Sequence, residues 1–214
     1  MSKTPKGMLF SPAEAWRVNL KKRAHLLNQR YNALTEEQRA ARNEILAELL
    51  GAVGEGTVLQ GPVTFHYGKH TKIGSHTFIN FHFTCQDDAE VSIGDHCDFG
   101  PNVTIVTPLH PMLAQERKAL WGPDGVSKRL CYAKPVRIGN DCWLCANVTV
   151  LPGVTIGDGS VIGAGSVVTR SIPAGSFAAG NPCRVIRTLT KADSLAGKPE
   201  ILGEYSVNAP EKQA

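Results

Sequence analysis

The sequence lacks several features that would fix a protein's class at once. It has no apolar run long enough to span a membrane as a helix, so no membrane partner is expected. Lys3 and Lys6 near the N-terminus are not followed by an apolar segment. A secretory signal is therefore not expected, and a cytoplasmic location is. The formal net charge is only +4, the basic residues are scattered, and no RNA- or DNA-binding motif is present. Nucleic acid is accordingly excluded as an expected partner. Cys142 and Cys145 form a C-x-x-C pair, but no second such pair or close His pair completes a zinc site. The six cysteines (Cys85, Cys97, Cys131, Cys142, Cys145, Cys183) are expected to be buried, reduced and structural. No metal is expected.

What the sequence does contain is a six-residue beat. From 138 it reads IGNDCW, LCANVT, VLPGVT, IGDGSV, IGAGSV, VTRSIP, AGSFAA. An aliphatic residue opens nearly every block, and a small or β-branched residue usually sits four places later. Upstream, Ile73, Ile79, Ile93, Phe99 and Ile105 open blocks of the same kind, with a slip of register through Cys85–Val91. A weaker beat starts near Val53. A period of six fits neither a helix nor a plain strand. It is the repeat of a parallel β-helix, in which the chain runs straight, turns a corner and runs straight again. Gly, Asn and Asp mark the corners and β-branched residues the flat faces. The repeat predicts about five coils, each of three faces.

The chain divides into three expected parts. Residues 1–52 form a helical cap, 53–183 the β-helix, and 184–214 a C-terminal helix and tail. Residues 1–10 are expected to be loose. Ser11 and Pro12 read as the N-cap and first residue of a helix, with Glu14 in its first turn and an apolar stripe of Ala13, Trp16, Leu20, Leu27 and Tyr31. Thr35 and Gln38 resemble a capping box for a second helix ending at Gly51. Both helices are expected to cover the open edge of the first coil. Residues 111–134 interrupt the beat as an inserted loop, tolerated at a corner because the coils on either side keep their pairing. A loop of that length in a compact fold is more often functional than idle. Arg184, Arg187 and Lys191 are expected on a short helix or turn, with a poorly ordered tail from Ala192.

His110 stands where the chain leaves the β-helix, in Thr107-Pro108-Leu109-His110-Pro111. Histidine takes and returns a proton near neutral pH, which makes His110 a candidate general base.

The motifs Asn80-Phe81, Ile93-Gly94-Asp95, His110-Pro111, Pro152-Gly153-Val154-Thr155-Ile156-Gly157 and Gly180-Asn181-Pro182-Cys183-Arg184 resemble the hexapeptide acyltransferases. The stretch from about Leu9 to Arg187, with Tyr31-Asn32 and Tyr67-Gly68, is similar more narrowly to the maltose and galactoside O-acetyltransferases, including nodulation-type sugar acetyltransferases. The resemblance implies a mainly β fold, a left-handed parallel β-helix, against the right-handed habit of ordinary crossovers. It implies a homotrimer with active sites between subunits and acetyl-coenzyme A as co-substrate.

Residue by residue, the resemblance makes His110 the catalytic base and Asn80 a residue that orients it or contacts the acceptor. Asp88 matches an acceptor-binding carboxylate, with Asp87 an alternative for the inward position. His66 and Tyr67 of the first coil join the acceptor side. On the donor side, Trp143 lines the coenzyme channel, Ala146 and Ala164 leave room for the pantetheine arm, Thr169 contacts the coenzyme, and Arg184 and Arg187 meet its phosphates. Plainer readings stay open: packing for Trp143, a corner role for Asn80, a solvated face for the two arginines. The departures gather on the acceptor side. A family Asp falls on Pro12, a family Arg on Lys21, a small hydroxyl residue on His66, and the loop after His110 is longer. The implied activity is O-acetyl transfer to a sugar or glycoside, the alternative being a xenobiotic or amino-sugar acetyltransferase. A γ-type carbonic anhydrase would need three convergent histidines, and His66/His70 and His76/His82 do not supply them. A non-catalytic scaffold would leave the matches at His110, Asn80 and Arg184 unexplained.

Overall fold

The structure, a computed structural model, describes residues 9–207. Its body is a parallel β-helix of about five coils and three faces. The first face stacks strands Ala52–Val53, Thr71–Ile73, Val91–Ile93, Val136–Ile138 and Thr155–Ile156. The third stacks Val63–Phe65, Phe83–Gln86, Thr104–Val106, Thr149–Val150 and Val167–Val168. The second face runs through Val58–Leu59, Phe78–Ile79, Asp98–Phe99, Trp143–Leu144, Val161–Ile162 and Ser176–Ala179. All these pairings are parallel. A final strand, Arg184–Thr188, then turns back antiparallel on Ser176–Ala179.

In-register pairing turns the six-residue beat into columns of like side chains. Ile73 pairs with Ile93, Ile93 with Ile138 and Ile138 with Ile156. Phe65, Cys85, Ile105, Val150 and Val168 form a second column, each fully buried. Leu59, Ile79, Phe99, Leu144, Ile162 and Ala178 form the third. Each column fills one inner face, which is why the aliphatic residue opening a block is the least exchangeable part of the repeat.

The corner between the first and second faces explains two of the cysteines. Thr57 Oγ1 donates to the carbonyl of Gly74 one coil on, and Thr77 Oγ1 to that of Gly94. Cys97 and Cys142 continue this column, with Sγ to the carbonyls of Gly139 and Gly157. Ser160 and Ser176 complete it. Thiols thus stand in for hydroxyls in a ladder that satisfies corner carbonyls. All six cysteines are free, as read from the sequence, but Cys145 is only half-buried.

Helix α1 (Ala15–Asn32) and helix α2 (Arg39–Leu49) close the first coil. α1 does so with amides. Asn28 donates to the Phe65 carbonyl and accepts from its N–H, and Asn32 does the same with Val63. Two side chains therefore take the place of a neighbouring strand along Val63–Phe65. Several local expectations are corrected. α1 begins at Ala15, because Ser11 and Pro12 form a turn closed by the Ser11 carbonyl and the Glu14 N–H. Its buried stripe is Arg17, Ala24, Leu27, Asn28 and Tyr31, while Ala13 and Trp16 are exposed. Gln38 reaches back to the Thr35 N–H, but this closes a turn, and α2 starts one residue later. Phe10 is not loose: it exchanges backbone bonds with Cys131. Residues 1–8 and 208–214 lie outside the described residues. Arg184 and Arg187 lie on a strand rather than a helix, and residues 191–202 form short 3₁₀ and α turns. Among the described residues no helix is long and apolar enough to cross a membrane.

At the first corner the backbones of successive coils touch. A Cβ on Gly94 would lie 2.6 Å from the Gly139 carbonyl carbon and oxygen. Because that neighbour is backbone, it cannot swing aside. Gly94→Ala should lower stability by about 2 kcal/mol or more. Gly197→Ala, where nothing stands within 4 Å, should be near neutral. Chemical denaturation of both variants measures the difference.

Candidate active site

The corner between the third and first faces carries most of the polar residues singled out in the sequence. In the first coil it is the turn His66-Tyr67-Gly68-Lys69-His70, and in the second it contains Asp87 and Asp88. In the third coil it opens into the insertion. The neck of that insertion is tied by Thr107, whose Oγ1 donates to the Gln86 carbonyl and accepts from the Ala89 N–H. Pro108 and Leu109 pair antiparallel with Ala133 and Tyr132, and the next residue, Cys131, bridges to Phe10. This narrow three-chain ladder delivers His110 to the mouth of the corner beside the N-terminal cap. His110 is exposed, and among the described residues its ring makes no hydrogen bond.

The two aspartates divide their work. Asp87 is fully buried. It accepts from the Tyr67 N–H at 2.7 Å and from Thr71 Oγ1 at 3.0 Å, and its carbonyl accepts from His70 Nδ1 at 2.7 Å. Burial pushes its carboxyl up, and these bonds oppose the shift. Asp87 is thus a pin between two coils. Asp88 is half-buried and lies within electrostatic reach of Arg17, His70 and Lys21. Burial raises its carboxyl too, and the electrostatic influence of Arg17, then of His70 and Lys21, works against the rise. Of the pair, Asp88 is the more exposed.

Tyr67 and His66 belong to the same cluster, His66 half-buried and Tyr67 fully buried. The Tyr67 phenol is pushed up to about 12, first by burial and then by the Asp88 charge, while a hydrogen bond with Arg17 works against the rise. His66 packs edge-on to Tyr67 at 4.5 Å and to His25 at 6.0 Å. Burial holds its imidazole below the usual range. The Asp87 charge opposes this, and Lys21, His25 and His70 reinforce it. Arg17 was absent from the sequence reading and is central here. Its guanidinium is 1% exposed, sits 3.9 Å from the Phe10 ring and 4.3 Å from Trp16, and bonds Glu14 at 3.1 Å.

The remaining candidates stand elsewhere. Asn80, Ala146 and Ala164 occupy the corner between the second and third faces, in the second, fourth and fifth coils. Trp143 projects from the second face, 52% exposed, between Asp98 and Val161. Arg184 pairs with Ala179 at the end of the second face nearest this corner. Arg187 lies toward the other end of the same strand, against the Phe177 ring and in a two-bond ion pair with Asp193. Thr169 follows the third face and belongs to the corner of His110, two coils further along. The third face separates the two corners by about five residues, or about 16 Å at the rise of a strand. One chain therefore gathers His66, Tyr67, Asp88 and His110 on one edge, and Asn80, Ala146, Ala164 and Arg184 on another. Asn80 Oδ1 accepts from the Phe81 N–H at 2.8 Å and is not in contact with His110 of its own chain. No group of three or more His, Cys, Asp or Glu among the described residues could hold a metal ion.

Comparison with known proteins bears on the fold and the family. Residues 135–170 match the bacterial transferase hexapeptide (six repeats), and residues 6–54 match the maltose acetyltransferase hexapeptide capping motif. The chain is 38% identical over 152 residues to the galactoside O-acetyltransferase of Escherichia coli (strain K12), covering 71% of this chain and 70% of that one. It is 44% identical over 157 residues to nodulation protein L of Rhizobium leguminosarum bv. viciae, covering 73% and 78%. A solved galactoside acetyltransferase in complex with coenzyme A superposes with a TM-score of 0.80 at 36% identity, over 95% of both chains.

The cluster makes a pH prediction. Because the folded His66 is held below its ordinary value, its burial contributes stability above about pH 6.5 that is lost as pH falls through the depressed value. Lys21→Met removes one cation that depresses it, so the His66 titration should move upward in that variant. Imidazole chemical shifts followed against pH report the change; an unmoved or lowered midpoint would contradict the placement of Lys21 beside His66.

Proposed function

Because the chain belongs to the hexapeptide-repeat maltose and galactoside O-acetyltransferase family, we propose that it moves an acetyl group from acetyl-coenzyme A to a hydroxyl of a sugar or glycoside. The observation that carries this reading is the position of His110. It is exposed where the chain leaves the third coil, at the same corner as Asp88, His66 and Tyr67. A base that must meet an incoming hydroxyl needs that exposure.

In this reading neutral His110 accepts the hydroxyl proton as the oxygen attacks the thioester carbonyl. The new C–O bond forms, the C–S bond breaks, and the imidazolium returns the proton to the departing thiolate. No covalent enzyme species is needed, since both substrates meet directly and the gain comes from positioning. Asp88 accepts hydrogen bonds from acceptor hydroxyls. The edge with Ala146 and Ala164 offers a shallow track for the pantetheine arm, and the exposed Trp143 and Arg184 flank it. Arg187 contributes less, because Asp193 already occupies its fork.

The separation of the two edges supports assembly from more than one copy. A donor track on one edge and a base on another come together when two subunits pack side by side, as in the left-handed, threefold assembly expected from the family. Asn80 of one copy then faces His110 of the next.

His110→Ala should lower acetyl transfer by about 10² or more while leaving affinity for coenzyme A near that of the parent protein. Thiol release and coenzyme A titration measure the two quantities. Near-normal turnover would overturn the role of His110.

A further inference from the structure

The insertion holds a feature that the family reading does not use. Its short helix, Ala114–Lys118, and the returning segment at Arg129 border an open hollow of about 380 Å³ on the surface, lined by Ala114, Arg117, Lys118 and Arg129. Three of its four lining residues are cations. Among the described residues none of the three forms an ion pair. The nearby acids are otherwise placed: Asp124 is paired with Lys128, and Glu116 does not line the cavity. Three unneutralised cations around one concavity repel one another, which a bound anion would relieve.

The cavity adjoins the catalytic mouth. Arg117 Nη1 donates to the carbonyls of Pro111 and Met112, the two residues after His110, at 3.1 and 3.0 Å. Arg129 lies two residues from Cys131, the partner of Phe10, and its charge reaches that thiol. Lys21, across the mouth near Asp88 and His66, is a further cation without an ion pair among the described residues.

We propose that this cavity binds an anionic group, a phosphate or carboxylate, carried by the acetyl acceptor. The inference rests on the acetyl-transfer reading above and narrows its acceptor class from neutral sugars to charged ones. Arg117 is held by the loop backbone and supplies a fixed fork, while Lys118 and Arg129 close around the anion. The same chemistry would suit the phosphates of coenzyme A reaching over from a neighbouring copy, so the test has an arm for each source.

The first arm measures binding of inorganic phosphate to the His110→Ala protein, with and without Lys118→Gln and Arg129→Gln, and needs no turnover. Arg117 is left in place because it supports the loop. The second arm compares KM for galactose 6-phosphate, for galactose and for acetyl-coenzyme A in the otherwise unaltered protein with the same two substitutions. Phosphate affinity should fall by about tenfold, and the preference for the phosphate ester over the parent sugar should fall by a similar factor. The donor KM should move by less than about twofold. Unchanged phosphate affinity, or equal movement of both acceptor KM values, would overturn the proposal. A rise confined to the donor KM would overturn it in favour of the coenzyme phosphates. Absence of thiol release with every acceptor would count against the acetyl-transfer reading, and the phosphate arm would still decide whether the cavity binds an anion.

Discussion

Parallel backbone pairing between successive coils is the constraint on which everything else in this protein depends. Each coil is too small to fold alone, and it acquires a core only when its three inner residues stack on those of its neighbours. That requirement fixes the register, and the register fixes the corners. Where coils touch most closely, at the Gly74, Gly94 and Gly139 corner, a column of Thr, Cys and Ser side chains takes up the carbonyls that the turns leave over. The lattice is rigid enough that a corner can be interrupted without loss. The chain uses this once, at the insertion, and places His110 at its neck.

The two functional edges follow from the same lattice. A triangular prism keeps its corners a full face apart, so residues at different corners of one chain cannot converge. His110, Asp88 and the cluster around Tyr67 share one corner, and Asn80, Ala146 and Ala164 share another. The N-terminal cap adds to the first of these. Arg17, stacked on Phe10 and Trp16, reaches Tyr67 and Asp88, and the Phe10–Cys131 bridge ties the cap to the insertion. The edge proposed to take the acceptor is thus assembled from three distant stretches of sequence, and the edge proposed for the donor from a simple repeat.

That difference explains what was legible in the sequence. The repeat announces itself, so the coil count and the aliphatic columns could be read directly, whereas Ala146 and Ala164 were singled out only by the family resemblance. His110 was visible because it stands where the beat breaks. The respective roles of Asp87 and Asp88 were not, since both fall in the slip of register, and only the Tyr67 and Thr71 bonds show that Asp87 is a pin. Arg17 escaped because an amphipathic stripe is sought among apolar residues, and here a guanidinium flattened on two rings fills a core position. The strand at Arg184–Thr188 escaped for a related reason: it no longer obeys the beat, because it turns back on the last coil instead of adding another.

The central claim is that one reaction centre draws its base and its donor track from two copies of the chain. Mixed assemblies test it directly. His110→Ala and Asn80→Ala proteins, each of low activity alone, are unfolded together and refolded as a mixture. If His110 of one copy works with Asn80 of the next, about a quarter of the sites in a random equal mixture carry both native residues, and that fraction of the parent activity should return. If the two residues served the same site from within one chain, no site in the mixture would be intact, and activity no higher than that of the separate variants would contradict the account.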